Sequence, residues 1–136
     1  MVPDIRTIII DPDPYSNLWI NLIVSRDWRT KVVAKAQNLI GLPDLLVNVN
    51  TLPDYILLDT GVFNDQARKQ TSIVDEVTSL SPASGIILIG REFHPGLLHQ
   101  PEPAIQGYLI KSEICNSIAW ALSFAAAGAW VCTPRA

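Results

Sequence analysis

The sequence predicts an α/β fold, a doubly wound sheet of five parallel strands between two layers of helices. Three observations predict it. Short apolar runs recur along the chain, and they are continuous rather than alternating, which marks strands buried on both faces. Segments with helical periodicity fill the gaps between them. Parallel neighbours need crossovers, and crossovers are right-handed, so the helices must cover both faces.

The strands are expected at Thr7-Ile8-Ile9-Ile10, Tyr55-Ile56-Leu57-Leu58, Gly85-Ile86-Ile87-Leu88-Ile89 and Gly107-Tyr108-Leu109-Ile110, with a weaker one at Lys31-Val32-Val33-Ala34. Asp13 followed by Pro14 makes an N-cap and first-turn pair for the first helix. Its apolar stripe is expected at Tyr15, Leu18, Trp19, Leu22 and Ile23. Only a short helix fits at 44–49, between Pro43 and Pro53. The next runs from Arg68 to Leu80 and stops at Ser81-Pro82. Four residues of the segment 91–105, Pro95, Gly96, Pro101 and Pro103, limit any helix there to about two turns. Ser112 is placed to cap a last helix buried along Ile114, Ile118, Ala121, Leu122 and Ala125, which Gly128 ends.

Composition bounds the function. A chain of 136 residues fits one domain, and 49% apolar with 17% charged residues is globular rather than disordered. A net charge of −3 offers no basic stripe, so nucleic-acid binding by this domain itself is not expected. The longest nearly apolar run, Ile118 to Val131, has 14 residues, too few to cross a bilayer. MVPDIR leads straight into a strand, leaving no room for a signal peptide. Cys115 and Cys132 lack metal-ligand spacing and cannot form a disulfide framework. A cytoplasmic domain without membrane contact is the expectation.

In such folds ligands sit at the carboxyl ends of the strands. The residues there are Asp11-Pro12-Asp13, Asp59-Thr60-Gly61, Gly90-Arg91 and Lys111-Ser112. Three carboxylates and an ammonium thus converge on one rim. Crowded carboxylates need a neutralising cation, and a lysine with an oxygen-ligated Mg²⁺ is the usual solution. A carboxylate held that way can attack phosphorus and form an acyl phosphate. No glycine-rich phosphate loop follows the first strand, which argues against a flavodoxin-like enzyme.

IIIDPD, PDYILLDT, GIILIG and GYLIKS, with Asp59 lying 48 residues after Asp11 and 52 before Lys111, cover essentially the whole chain. In this pattern the sequence resembles the CheY-like receiver domain of bacterial two-component response regulators. The resemblance implies strand order 2-1-3-4-5 and a receiver domain over 1–127. It makes Asp59 the phospho-acceptor and Lys111 the phosphoryl contact. It assigns Mg²⁺ to Asp11, Asp59 and the Gly61 backbone carbonyl, and the aromatic switch to Tyr108. Ala126-Ala127-Gly128-Ala129-Trp130-Val131 and Thr133-Pro134 are similar to the receiver end of LuxR/NarL-type transcription regulators. On that likeness 128–136 begins a linker to an absent output domain, a helix-turn-helix. The implied partners are a sensor histidine kinase and that output domain. The implied activity is no enzyme beyond self-phosphorylation and dephosphorylation at Asp59.

The sequence departs from the family at three places. Pro12 stands where a second acid is usual, and the next acid, Asp13, reads more readily as a helix cap than as a ligand, so the Mg²⁺ site is weakened. Gly90 replaces the Ser or Thr whose hydroxyl would bond the phosphoryl group, which deprives Tyr108 of its trigger and leaves it readable as a half-buried strand aromatic. Ser112 replaces a common proline. Two functions therefore stay open: a receiver phosphorylated on Asp59 that controls DNA binding, or a non-phosphorylated pseudo-receiver acting as a dimerisation or docking module. Arg91 is a candidate to bring positive charge to the rim. Trp120 lies off the buried stripe of the last helix, which suggests a homodimer through that helix, on a face shared with the fifth strand and the short helix before it. His94 and His99 have no paired nucleophile to activate.

Overall fold

The computed structural model describes residues 5–48, 52–64, 70–91, 105–115 and 117–132. The chain runs β1 (Ile5–Ile10), α1 (Pro14–Ser25), β2 (Thr30–Ala36), α2 (Leu42–Asn48), β3 (Tyr55–Asp59), a 3-10 turn (Thr60–Asn64) and α3 (Gln70–Leu80). It continues through β4 (Gly85–Gly90), β5 (Ile105–Ile110), a second 3-10 turn (Lys111–Glu113), α4 (Ile118–Ala126) and β6 (Val131–Cys132). The short helix and the two histidines expected within 91–105 lie outside the described residues, apart from Arg91 and β5. Among the described residues no helix is long and apolar enough to cross a membrane.

All pairings are parallel, and the strand order is β2-β1-β3-β4-β5-β6. The expected order 2-1-3-4-5 is therefore present, and among the described residues the expected five strands become six. Val131 and Cys132, in the stretch expected to open a linker, instead pair with Gly107 and Tyr108. Gly107 is what admits them, because a side chain there would collide with the carbonyl and Cγ2 of Val131. Two residues of pairing are too few to leave a periodic signal in the sequence.

Alternation along the strands divides the core in two. Ile9, Leu57, Ile87, Ile89 and Leu109 face α1 and α4, where Ile20, Val24, Ile118 and Leu122 meet them. Ile8, Ile10, Ile56, Leu58, Leu88 and Tyr108 face α2 and α3, against Leu42, Ile73, Val74 and Val77. Strands buried on both sides explain why their sequence reads as unbroken apolar runs.

Three local expectations are corrected. The stripe that packs on α1 is Asn17, Ile20, Ile23 and Val24, whereas Tyr15, Leu18 and Leu22 face out. The helix carries apolar residues nearly all round, so periodicity alone does not choose its inner face. Asn17 helps to set it: its buried amide donates to the carbonyls of Ala36 (2.9 Å) and Asp11 (3.2 Å), tying α1 to the ends of β2 and β1. The second correction is that Ser112 does not cap the last helix. It sits in a 3-10 turn, and α4 begins after Ser117, whose hydroxyl donates to the Glu113 carbonyl. Third, Tyr108 is fully rather than half buried. The expected buried stripe of the last helix holds, with Ala121 only partly covered, and Gly128 follows it at φ 95°, a conformation that suits glycine.

Candidate functional site

Asp11 follows β1, Asp59 ends β3 and Lys111 follows β5, and parallel pairing in register brings all three to one rim. The Lys111 ammonium lies 2.6 Å from Asp59 Oδ2 and 3.0 Å from Asp11 Oδ2, bridging two carboxylates that lie 52 and 100 residues before it in the sequence. The contact to Asp11 is a directed hydrogen bond. The closer contact to Asp59 is an ion pair without hydrogen-bond alignment. Side-chain exposure is 2% for Asp11, 10% for Asp59 and 12% for Lys111, so the triad is nearly enclosed. Two carboxylates share one ammonium, and the cluster keeps a net negative charge.

Each carboxylate is further held by the chain beside it. Asp11 Oδ1 accepts from the Asp13 amide (3.0 Å), and its Oδ2 accepts from the Ser16 hydroxyl (2.5 Å). Asp59 Oδ1 accepts from the Gly61 amide (2.7 Å). Asp13 is the N-cap of α1: its Oδ1 accepts from the amides of Tyr15 (2.9 Å) and Ser16 (3.4 Å), and those bonds hold its carboxyl below the usual range. Its Oδ2 pairs with the exposed Arg91 guanidinium at 3.0 Å. Arg91 therefore does reach the rim.

Gly61 and Pro12 meet on that rim. A side chain on Gly61 would sit 2.7 Å from Asp59 Oδ1 and 3.4 Å from the Pro12 ring, so it would have to displace the Asp59 carboxylate. Tyr108 and Gly90 are adjoining: the phenol oxygen of the buried tyrosine lies 2.5 Å from where a Gly90 Cβ would be.

In this arrangement most of the oxygens that would hold a divalent ion are already engaged, Asp59 Oδ2 accepting no hydrogen bond. Both Asp11 oxygens and Asp59 Oδ1 already accept internal hydrogen bonds, Asp13 is spent on the cap and Arg91, and a proline ring stands beside Gly61. Among the described residues no three His, Cys, Asp or Glu side chains group to hold a metal. Restoring an acid should change this. Pro12→Asp is expected to tighten Mg²⁺ binding by roughly tenfold or more, since affinity follows the charge count of the ligands. Calorimetric titration of both proteins checks it, and equal affinities would contradict the role given to Pro12.

The strand-end residues expected from the sequence, Asp11, Asp13, Asp59, Thr60, Gly61, Gly90, Arg91 and Lys111, lie on this rim, while Tyr108 lies in the core beneath Gly90. The sequence did not point to Ser16 or Asn17. A hydroxyl in the first turn after a capping Asp was the available signal for Ser16. Nothing comparable marks Asn17, whose partners are backbone carbonyls.

No protein-family model matches the chain, and no curated protein does. Solved structures do match. The isolated receiver domain of the response regulator RcsB from Salmonella enterica serovar Typhimurium, with phosphomimetic BeF3⁻, superposes with a TM-score of 0.78 at 17% identity, over 98% of this chain and 96% of that one. The chain has the receiver-domain fold. The non-phosphorylated receiver domain of RcsB from Escherichia coli matches equally, with a TM-score of 0.78 at 17% identity over 96% and 98% of the two chains. A longer RcsB chain from Salmonella typhimurium, studied for its DNA interaction, matches with a TM-score of 0.78 at 17% identity. That match covers 94% of this chain, which spans 62% of the longer one.

Proposed function

We propose that this domain is a response-regulator receiver that accepts a phosphoryl group on Asp59 and so controls an attached DNA-binding output domain. The observation that carries the reading is the Lys111 ammonium held between Asp11 and Asp59 at the ends of three different strands. A buried ion triad at a strand-end rim contributes little net stability, so its assembly favours a chemical role over a structural one. Asp59 Oδ1 is pinned by the Gly61 amide, which directs Oδ2 to phosphorus. An Oδ2 lone pair attacks the phosphorus of a donor, the P–O or P–N bond to the donor breaks, and the leaving group departs with those electrons. Lys111, already 2.6 Å away, neutralises the charge carried over to the acyl phosphate.

The same reading takes a sensor histidine kinase as the donor and an output domain as the attached partner, in keeping with the longer RcsB chains of which this one spans 62%, with the receiver closing on β6 rather than at residue 127. A homodimer is part of the same reading: an RcsB chain from a structure of two RcsB dimers bound to DNA superposes with a TM-score of 0.82 at 16% identity, and the exposed Trp120 and Phe124 point to α4 as the contact.

A second reading, the non-phosphorylated pseudo-receiver, is favoured by one observation: every Asp11 oxygen is satisfied inside the protein, leaving the site closed on itself. Incubation with acetyl phosphate, with and without Mg²⁺, separates the two. Intact-mass analysis is expected to show one added phosphoryl group on the native domain and none on Asp59→Asn. No gain in either protein contradicts the first reading, and a gain that survives Asp59→Asn contradicts the assignment of the acceptor.

A further inference from the structure

The absent side chain of Gly90 is what lets Tyr108 stay inside. In the parallel register of β4 and β5, Leu88 lies opposite Tyr108 and Gly90 opposite Ile110. The phenol reaches two residues along β4 from its own register partner and ends over Gly90. A Cβ on Gly90 would be 2.5 Å from the phenol oxygen and 2.9 Å from Thr60 Oγ1, closer than such contacts occur. The two hydroxyls thus share the volume that a residue-90 side chain would take. Tyr108 is 1% exposed and packed in the core on the α2 and α3 side of the sheet. Burying a tyrosine removes roughly 150–250 Å² from water, a preference that any outward rotamer must overcome.

A group bound at Asp59 can move Tyr108 only by interacting differently with its inner and outer positions. A side chain at residue 90 would lie between the two sites, and Gly90 has none. We infer that Gly90 fixes Tyr108 in the interior whatever the state of Asp59, so that the surface over β5 is presented in one form. Tyr108 is also the register partner of Cys132, so β6 docks on the same strand. The inference goes beyond the proposed reading and stands on packing geometry, independent of whether Asp59 takes a phosphoryl group.

The chain has 3 tyrosines, so ¹⁹F spectra of the 3-fluorotyrosine-labelled protein resolve Tyr108, identified by its loss in Tyr108→Phe. Broadening by a soluble gadolinium chelate reports exposure, with Tyr15, 84% exposed, as the internal reference. In the native protein one protected Tyr108 signal is expected, unmoved by beryllofluoride and Mg²⁺. In Gly90→Ala and Gly90→Ser the broadening of Tyr108 should rise severalfold toward that of Tyr15, because the phenol is the movable end of the clash.

Protection persisting in both variants overturns the inference. So does a native Tyr108 that shows two signals, or that becomes accessible when beryllofluoride is added. The Gly61 amide, bonded to Asp59, reports separately whether beryllofluoride engages the site. A silent Gly61 counts against the phosphorylation reading and leaves the Gly90 variants to decide this one. Should both variants lose their far-UV circular dichroism, the number of native Tyr108 signals decides it.

Discussion

Replacing Lys111 with alanine is expected to lower folding stability by about 3–5 kcal/mol, the usual cost of leaving buried charge without its partner. The ammonium sits 2.6 Å and 3.0 Å from two carboxylate oxygens that are themselves nearly enclosed. Without it Asp11 and Asp59 face each other with only amides and a hydroxyl to offset their charge. Adding Asp11→Asn to the Lys111→Ala protein removes one of the two charges and should recover a large part of the loss. Urea denaturation of the single and double variants measures both effects. If Lys111→Ala unfolds at the native midpoint, or if Asp11→Asn brings no recovery, the three side chains are not energetically coupled.

The second large effect concerns α4. Leu122 is fully buried between α1, the sheet and the rest of its helix, so Leu122→Ala is expected to cost about 3–4 kcal/mol through lost burial and the cavity left behind. Trp120 and Phe124, on the same helix, are 56% and 55% exposed, with ring centroids 6.1 Å apart. The Arg29 guanidinium carbon lies 4.6 Å from the Trp120 ring centre. Arg29 belongs to the turn between α1 and β2 and is held by Asp27, whose carboxyl is lowered to about 2 chiefly by that side-chain hydrogen bond. Trp120 therefore stands on the α1 side of α4, rather than on the face shared with the fifth strand and the preceding short helix. Trp120→Ala should leave the unfolding midpoint within a fraction of a kcal/mol of native while weakening any self-association. Sedimentation at high concentration paired with denaturation checks the contrast. Equal destabilisation by Leu122→Ala and Trp120→Ala would contradict the division of α4 into a core face and a contact face.

The sheet was legible in the sequence because each main strand is buried on both faces and so appears as an uninterrupted apolar run. The rim was legible for the same reason: once those runs end, the next residues are the strand ends, and Asp11, Asp59 and Lys111 follow directly. Three features were not legible, each for a physical cause. α1 carries apolar residues on both of its faces, and buried hydrogen bonds from Asn17, rather than hydrophobicity, help to select the inner one. β6 rests on two residues and on the absence of a side chain at Gly107, neither of which produces a pattern. The closeness of Tyr108 to Gly90 depends on a phenol extending along the neighbouring strand, a distance that no spacing within one segment encodes.

The account rests on Asp59 being the oxygen donor of a phosphoryl site guarded by Lys111. A crystal structure of the domain soaked with beryllofluoride and Mg²⁺ tests this most directly. The account predicts tetrahedral density bonded to Asp59 Oδ2, with the Lys111 ammonium moved onto one of its fluorines and Tyr108 still inside. An Asp59 carboxylate without added density, with Lys111 still bridging it to Asp11, would contradict it.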